Sequence, residues 1–230
     1  MKPHESGVAQ RVALWGVLVS LLWTLPAGAQ GPAAVPAAVG LGPGSVLWLE
    51  GTSTVHEYES RTTQPAVKLL RDAAVTDPAD VAALERWLRT GGLRGLDLVV
   101  PLATMHSKRG ETLDKNMLKA LKAVEHPEIT FHVTATRLAP AAGDTLAVSA
   151  DGVLRVAGAE RPITVAGWLA AGDAGVWLEG EHGLLMSDYG VKPPTMMLGT
   201  LKVHDPVTIH FKLLLTPGRP PAAPVAEPHP

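Results

Sequence analysis

An alternating apolar segment near the C-terminus, preceded by a proline pair, constrains the fold of this chain more than any other feature. Pro193 and Pro194 have no backbone N–H to give a central strand, so residues 190–194 predict a turn or a sheet edge. A period of two follows this break, which predicts a strand with one face in an apolar interior and one in water. The apolar face carries Val207, Ile209, Phe211 and Leu213, and the polar face carries Thr208, His210 and Lys212.

The first 29 residues predict a secretory signal peptide that is not part of the fold. Lys2 and Arg11 precede an apolar run over residues 12–26, and Ala27-Gly28-Ala29 provides small residues for cleavage before Gln30. The run has about 15 residues, fewer than the roughly 20 that span a bilayer. We therefore expect an exported bacterial protein, periplasmic or secreted, without stable membrane insertion.

Composition excludes several classes of site. The chain contains no cysteine, which rules out a disulfide framework, a thiolate nucleophile and a cysteine metal site. Its formal net charge of −2 at pH 7 gives no electrostatic footprint for nucleic acid. Residues 30–44 and 217–230 are rich in Pro and Ala and predict a disordered leader and a disordered tail. The expected folded domain is a single unit over residues 45–216.

Within this domain, many short apolar segments predict strands. The first runs from Val46 past a glycine bend at Gly51 to Tyr58. Two segments predict helices: one capped by Asp77-Pro78 and ended by Gly91-Gly92, the other over residues 112–123. Many strands with two helices predict a mainly β fold, either a barrel or a sandwich of antiparallel strands. A barrel of about eight strands can fill itself with side chains or hold one slim ligand.

No catalytic or metal-binding arrangement stands out in the sequence. Ser53 and His56 have neither a nucleophile elbow nor a recognisable third partner. His132 and His210 lie on the polar faces of their predicted strands, where solvated histidines are commoner than metal ligands. We therefore expect a non-catalytic protein with no metal and no cofactor.

Three stretches carry a resemblance to a known family. Residues 152–165 contain G-x-L-x-V-x-G-x-x-R-P-I, in which Gly158 permits a turn and Pro162 sets the start of the returning strand. Residues 113–131 join a short helix to a His-Pro-Glu-Ile-Thr-Phe strand, and residues 199–209 read G-x-L-x-V-x-D-x-V-x-I. With these stretches the chain resembles the YceI-like family of secreted or periplasmic proteins. Residues 51–58 depart from that family's usual opening pattern, and the segment 72–91 looks like an insertion.

The resemblance implies an antiparallel, lipocalin-like β-barrel of about eight strands with two short helices. It also implies an isoprenoid, or another long apolar lipid, held inside that barrel. The apolar faces of the predicted strands supply eight candidate ligand-binding residues: Leu98, Val100, Phe131, Val133, Ile163, Val165, Ile209 and Phe211. The polar segment before the proline pair supplies three candidates for the barrel rim: Ser187, Tyr189 and Lys192.

Two other readings stay open at this point. The same apolar residues can fill one another's space, leaving an exported stress or envelope protein that acts through its surface. A metal- or Ser/His-dependent enzyme is the third alternative. The interior discriminates among them, because a carrier needs a continuous apolar cavity and an enzyme needs converging polar groups.

Overall fold

A curled antiparallel sheet forms the framework of the structure. The structure is a computed structural model and describes residues 39–69, 78–196 and 201–218. Short 3-10 turns occur at Leu102–Thr104 and Met186–Tyr189. The two helices in the described residues are α1, Val81–Arg89, and α2, Glu111–Ala120. The strands are β1 Val39–Leu41, β2 Val46–Ser53, β3 Glu57–Thr62, β4 Ala66–Leu69, β5 Leu96–Pro101, β6 His106–Ser107, β7 Glu128–Pro140, β8 Thr145–Val156, β9 Ala159–Gly172, β10 Gly175–Leu185, β11 Thr195–Met196 and β12 Leu201–Pro217.

The long strand β12 lies at the centre of the sheet, between β10 and β2. Phe211 is opposite Gly180 on one side and Leu47 on the other, so the last long strand of the chain pairs with the strand that begins at Val46. The predicted alternation is confirmed: Phe211 and Leu213 are buried, whereas Lys212 is exposed.

The main strand order is β4-β5-β7-β8-β9-β10-β12-β2-β3-β6, and β1 and β11 each pair with β12 outside this order. The sheet curls into a half-barrel and confirms the predicted fold class. The two ends of this order, β4 and β6, do not pair with each other in the described part of the chain. A side-chain hydrogen bond connects the two sides, because Thr62 Oγ1 at the end of β3 lies 2.7 Å from Thr104 Oγ1, after β5.

Helix α1 packs against one end of the half-barrel. Leu84 and Leu88 are 0% and 2% exposed and belong to a cluster of buried residues with Val176 and Leu215. The N-cap is Asp80, whose Oδ1 accepts a hydrogen bond from the N–H of Ala83 at 2.7 Å. The predicted cap Asp77 lies outside the described residues, and Pro78 precedes the helix without being its first residue.

Two sequence-based boundaries need correction. The predicted leader, residues 30–44, was expected to be disordered, but Val39–Leu41 forms β1 and pairs with residues 215–217 of β12. Burial of Val39 in the cluster around α1 explains why this short segment is ordered. The first predicted strand is in fact the hairpin of β2 and β3, with its turn at residues 54–56. There the Ser53 hydroxyl donates to the carbonyl of His56 at 2.7 Å and stabilises the turn.

Helix α2 packs at the opposite end of the half-barrel from α1. Its Met117 and Leu118 contact the cluster that contains Leu47 and Phe211. Within the described ranges, neither helix has the length and apolar character needed to cross a bilayer.

Candidate functional site

An apolar cavity of about 190 Å³ lies between the inner face of the half-barrel and α2. Eight strands contribute to its wall: β2, β3, β5, β7, β8, β9, β10 and β12. Met117 and Leu121 approach it from the α2 segment, and Val191 and Pro194 from the segment before β11. The lining contains no Asp, Glu, Lys or Arg in the described residues, so an apolar ligand would meet hydrocarbon on nearly every side.

Seven of the eight predicted ligand-binding residues line this cavity: Leu98, Val100, Phe131, Ile163, Val165, Ile209 and Phe211. The eighth, Val133, is 5% exposed and packs in the cluster around α1 instead. The register of β7 explains the difference, because Val133 lies at a bulge beyond Phe131, toward the α1 end of the sheet.

Strand register brings distant residues to the same level of the wall. Leu49 is opposite Ile209, and Ile209 is opposite His182, so β2, β12 and β10 present one row of side chains to the cavity. Ser60 of β3 extends this row as the partner of Leu49. Because alternate residues of each strand face inward, every second position of β10 belongs to the interior.

Aromatic rings lie close to glycines of neighbouring strands. A Cβ built on Gly180 would come within 2.6 Å of Cζ of Phe211, and one on Gly152 would come within 2.6 Å of Cε2 of Phe131. The missing side chains therefore make room for the rings on the wall.

A few polar groups interrupt the apolar lining, namely Tyr58, Ser60, Asn116, His182 and Tyr189. Burial lowers the pKa of His182, which favours the neutral imidazole. Burial also raises the pKa of Tyr58. The pKa of Tyr189 is raised by burial and then by the nearby Asp188 carboxylate, while Arg161 opposes this rise. Each group is therefore held in its uncharged form near neutral pH.

The structure separates the three predicted rim residues. Tyr189 is 3% exposed and lines the cavity. Ser187 is exposed, and its backbone N–H donates to Oδ1 of Asp205 at 2.8 Å. Lys192 is exposed and does not line the cavity.

The residues considered for a Ser/His site or a metal site make ordinary structural contacts instead. Ser53 Oγ is 3.4 Å from Nδ1 of His56, but its hydroxyl is used by the backbone of the turn. His132 Nδ1 lies 2.6 Å from Oδ1 of Asp97, and His210 stacks on Trp48 with ring centroids 5.0 Å apart. In the described residues, no group of three or more His, Asp or Glu is arranged to hold a metal ion.

Sequence reasoning missed several cavity residues, of which His182 and Tyr58 are the most polar. The signal for His182 was present, because it lies an even number of residues from Val176, Leu178 and Leu184 and so falls on the same face of β10. Tyr58 was obscured because the β2–β3 hairpin was interpreted as one strand. Leu154 of β8 lies in the G-x-L motif and has the same inward direction as the predicted residues.

Comparison with known proteins agrees with this fold. The chain is similar to BcnA of Burkholderia cenocepacia, with 19% identity, coverage of 74% of this chain and 94% of that one, and a TM-score of 0.51. It is also similar to a polyisoprenoid binding domain from Saccharophagus degradans implicated in plant cell wall breakdown, with 13% identity, coverage of 79% and 99%, and a TM-score of 0.56. A search of curated proteins finds no match. The sequence profile of the YceI-like domain matches residues 52–215, more than half of the chain, and the protein therefore belongs to the YceI-like family.

Proposed function

We propose that this protein is an exported carrier that binds one long apolar chain, of polyisoprenoid type, in the cavity beneath α2. The observation that carries the proposal is the cavity itself, with its nearly continuous apolar lining and without charged side chains in the described residues. Burial of a hydrocarbon there gains about 25 cal/mol for each Å² of apolar surface removed from water. The family, and the polyisoprenoid binding domain among the similar structures, support the choice of ligand class.

The cavity volume sets how much of the chain is enclosed. A protein cavity of about 150 Å³ holds one benzene ring, so the 190 Å³ found here suits about eight carbon atoms, or one to two isoprene units. A longer chain therefore needs adaptable walls or must continue out of the cavity. Met105, Met117 and Met186 line the cavity, and their unbranched side chains can adopt other rotamers at little cost.

The cavity also favours a binding role over the two alternatives. A filled barrel would leave no such space, and an enzyme needs a nucleophile or base beside an orienting group. Ser53 and His56, the pair considered for that role, are engaged in the β2–β3 turn.

An experiment that measures polyprenol uptake with the cavity open and blocked tests the binding proposal. We expect delipidated protein to take up a polyprenol from detergent, as measured by native mass spectrometry, and Ile209→Trp to abolish uptake by filling the space. Thr208→Trp, on the opposite face of β12, is the matched control and should bind normally. If the wild-type protein stays empty under these conditions, the carrier proposal is wrong.

Export is the second part of the proposal. Residues 1–29 would direct the chain across the inner membrane and be removed before Gln30. Expression of the full chain in a bacterium, followed by fractionation and N-terminal sequencing, tests this. The expected product begins at Gln30 in the periplasm or the medium, and an unprocessed chain in the cytoplasm would contradict it.

A further inference from the structure

Exposed apolar side chains are concentrated at the cavity end of the half-barrel. In the described residues, four large hydrophobic side chains are markedly exposed: Val55 at 66%, Val124 at 100%, Trp168 at 47% and Leu185 at 41%. Single exposed hydrophobic residues are normal on any protein surface, so their positions carry the information.

Three of the four lie next to residues that line the cavity. Val55 is in the turn between β2 and β3, where Ser53 pairs with the cavity residue Val203. Leu185 ends β10 immediately after the cavity residue Leu184. Val124 lies between α2 and β7, whose adjoining residues Leu121 and Ile129 line the cavity.

Trp168 is the exception. It is on the outer wall in β9, opposite Ala147 and Glu179, and its neighbour Leu169 belongs to the cluster around α1. It therefore provides an exposed apolar side chain that is remote from the cavity end.

The turn that carries Val124 is held in one conformation. The N–H of Ala123 donates to the carbonyl of Leu118 at 2.9 Å, and the N–H of Lys122 donates to that of Lys119 at 3.1 Å. Lys122 has φ of 52°, so these bonds form a Schellman motif at the C-terminus of α2. Ala123 packs inward against the cluster of Leu118, which leaves Val124 pointing fully outward.

Basic residues outnumber acidic ones in the segments that pack with this turn. Buried Ala157 and Val191 pack in one cluster with Leu121, which brings segments 119–125, 155–161 and 187–192 together. These segments contain five basic and three acidic residues, whereas the whole chain has a net charge of −2. The basic residues are Lys119, Lys122, Arg155, Arg161 and Lys192, and the acidic ones are Glu125, Glu160 and Asp188. Arg155 forms an ion pair with Glu160 at 3.1 Å, and the Asp205 carboxylate lies beside Ser187, so basic groups exceed acidic ones by one at this surface.

From this arrangement we propose that the cavity end docks on the surface of an anionic lipid bilayer, with Val124 and Val55 inserted between headgroups. Exposed apolar tips beside basic side chains are the combination that binds such surfaces. The proposal rests on the proposed function, since docking would place the cavity next to the leaflet from which an apolar chain enters. The bilayer is then the source of the ligand as well as the partner.

Vesicle flotation of the full chain tests the docking surface. We expect binding to phosphatidylcholine vesicles that contain phosphatidylglycerol, and weaker binding to phosphatidylcholine alone. Val124→Asp should weaken binding about tenfold, because it removes an exposed valine that docking would bury among the lipids and adds a charge of the same sign as the headgroups. Trp168→Asp, the matched control, should float like the wild type. Lys119→Gln with Lys122→Gln should reduce the preference for phosphatidylglycerol.

Two results would overturn the proposal: no flotation of the wild type with the anionic vesicles, or equal losses in Val124→Asp and Trp168→Asp. Polyprenol uptake from detergent, measured on the same proteins, separates this proposal from the proposed function. Docking predicts normal uptake from detergent by Val124→Asp but slow uptake from vesicles. Failure of the wild type to take up polyprenol from detergent would contradict the carrier function. The flotation result would still decide the docking proposal.

Discussion

The ring of Tyr58 occupies the space above Gly51, its partner across the β2–β3 hairpin. A Cβ on Gly51 would overlap the Tyr58 hydroxyl oxygen and lie 2.9 Å from ring atom Cε1. Both residues face the interior, and Tyr58 lines the cavity. Gly51 thus permits the phenol ring to lie against the sheet, as Gly180 does for its cross-strand partner Phe211.

We expect Gly51→Ala to displace the Tyr58 ring and to destabilise the protein by about 1–3 kcal/mol. Alanine in place of a strand glycine gains only about 0.5–1 kcal/mol, so the steric effect should prevail. Gly183→Ala is the control, because nothing lies within 4 Å of a Cβ at that position of β10. Urea denaturation measures both variants. Adding Tyr58→Val should recover most of the loss in Gly51→Ala, and a simple sum of the two effects would argue against direct contact.

The sequence predicts the direction of the cavity residues well, and the reason is local. Alternation in β12 places Ile209 and Phe211 on one face whatever the rest of the sheet does. The register of β12 on β2 agrees with the same pattern, because a slip by one residue would turn the apolar face of one strand outward.

Alternation does not predict whether a residue lies at the α1 end or at the cavity end of the half-barrel. Val133 and Val165 have the same local pattern, yet one packs around α1 and the other lines the cavity. Their positions depend on the bulge in β7 and on where α1 and α2 pack, which are long-range properties. His182 is a second example. Alternation along β10 predicts that its side chain points inward, but its apolar surroundings come from β2 and β12 through long-range strand pairing.

A charge on the cavity wall should be costly. We expect Val165→Lys to lower the free energy of unfolding by at least about 2 kcal/mol, because an ammonium group would be placed among apolar side chains. The adjacent Ala166 is exposed on the other face of β9, so Ala166→Lys should be close to neutral. Thermal unfolding followed by circular dichroism compares the two. A lower melting temperature for Ala166→Lys than for Val165→Lys would show that the faces of β9 are assigned the wrong way round.

The cluster around α1 should support the fold without shaping the cavity. Leu84 is fully buried there and does not line the cavity. We expect Leu84→Ala to destabilise the protein by about 2–5 kcal/mol through the cavity that it leaves. Polyprenol affinity, measured well below the melting temperature, should be unchanged. A loss of affinity in folded Leu84→Ala protein would mean that the two ends of the half-barrel are coupled.

The imidazole of His182 should make stability and ligand binding depend on pH. Its pKa is lowered by burial, so the unfolded chain binds a proton more readily than the folded one. Stability is therefore complete above the unfolded value of about 6.5 and decreases as the pH falls through that value toward the folded pKa. Protonation also places a charge in the apolar cavity, so polyprenol affinity should weaken over the same range.

The other titratable lining groups, Tyr58 and Tyr189, stay neutral over this pH range because their pKa values are raised. Chemical denaturation and binding titrations between pH 5 and 8 measure both effects. His182→Leu should flatten both profiles, and an unchanged pH dependence in this variant would assign the effect to another group.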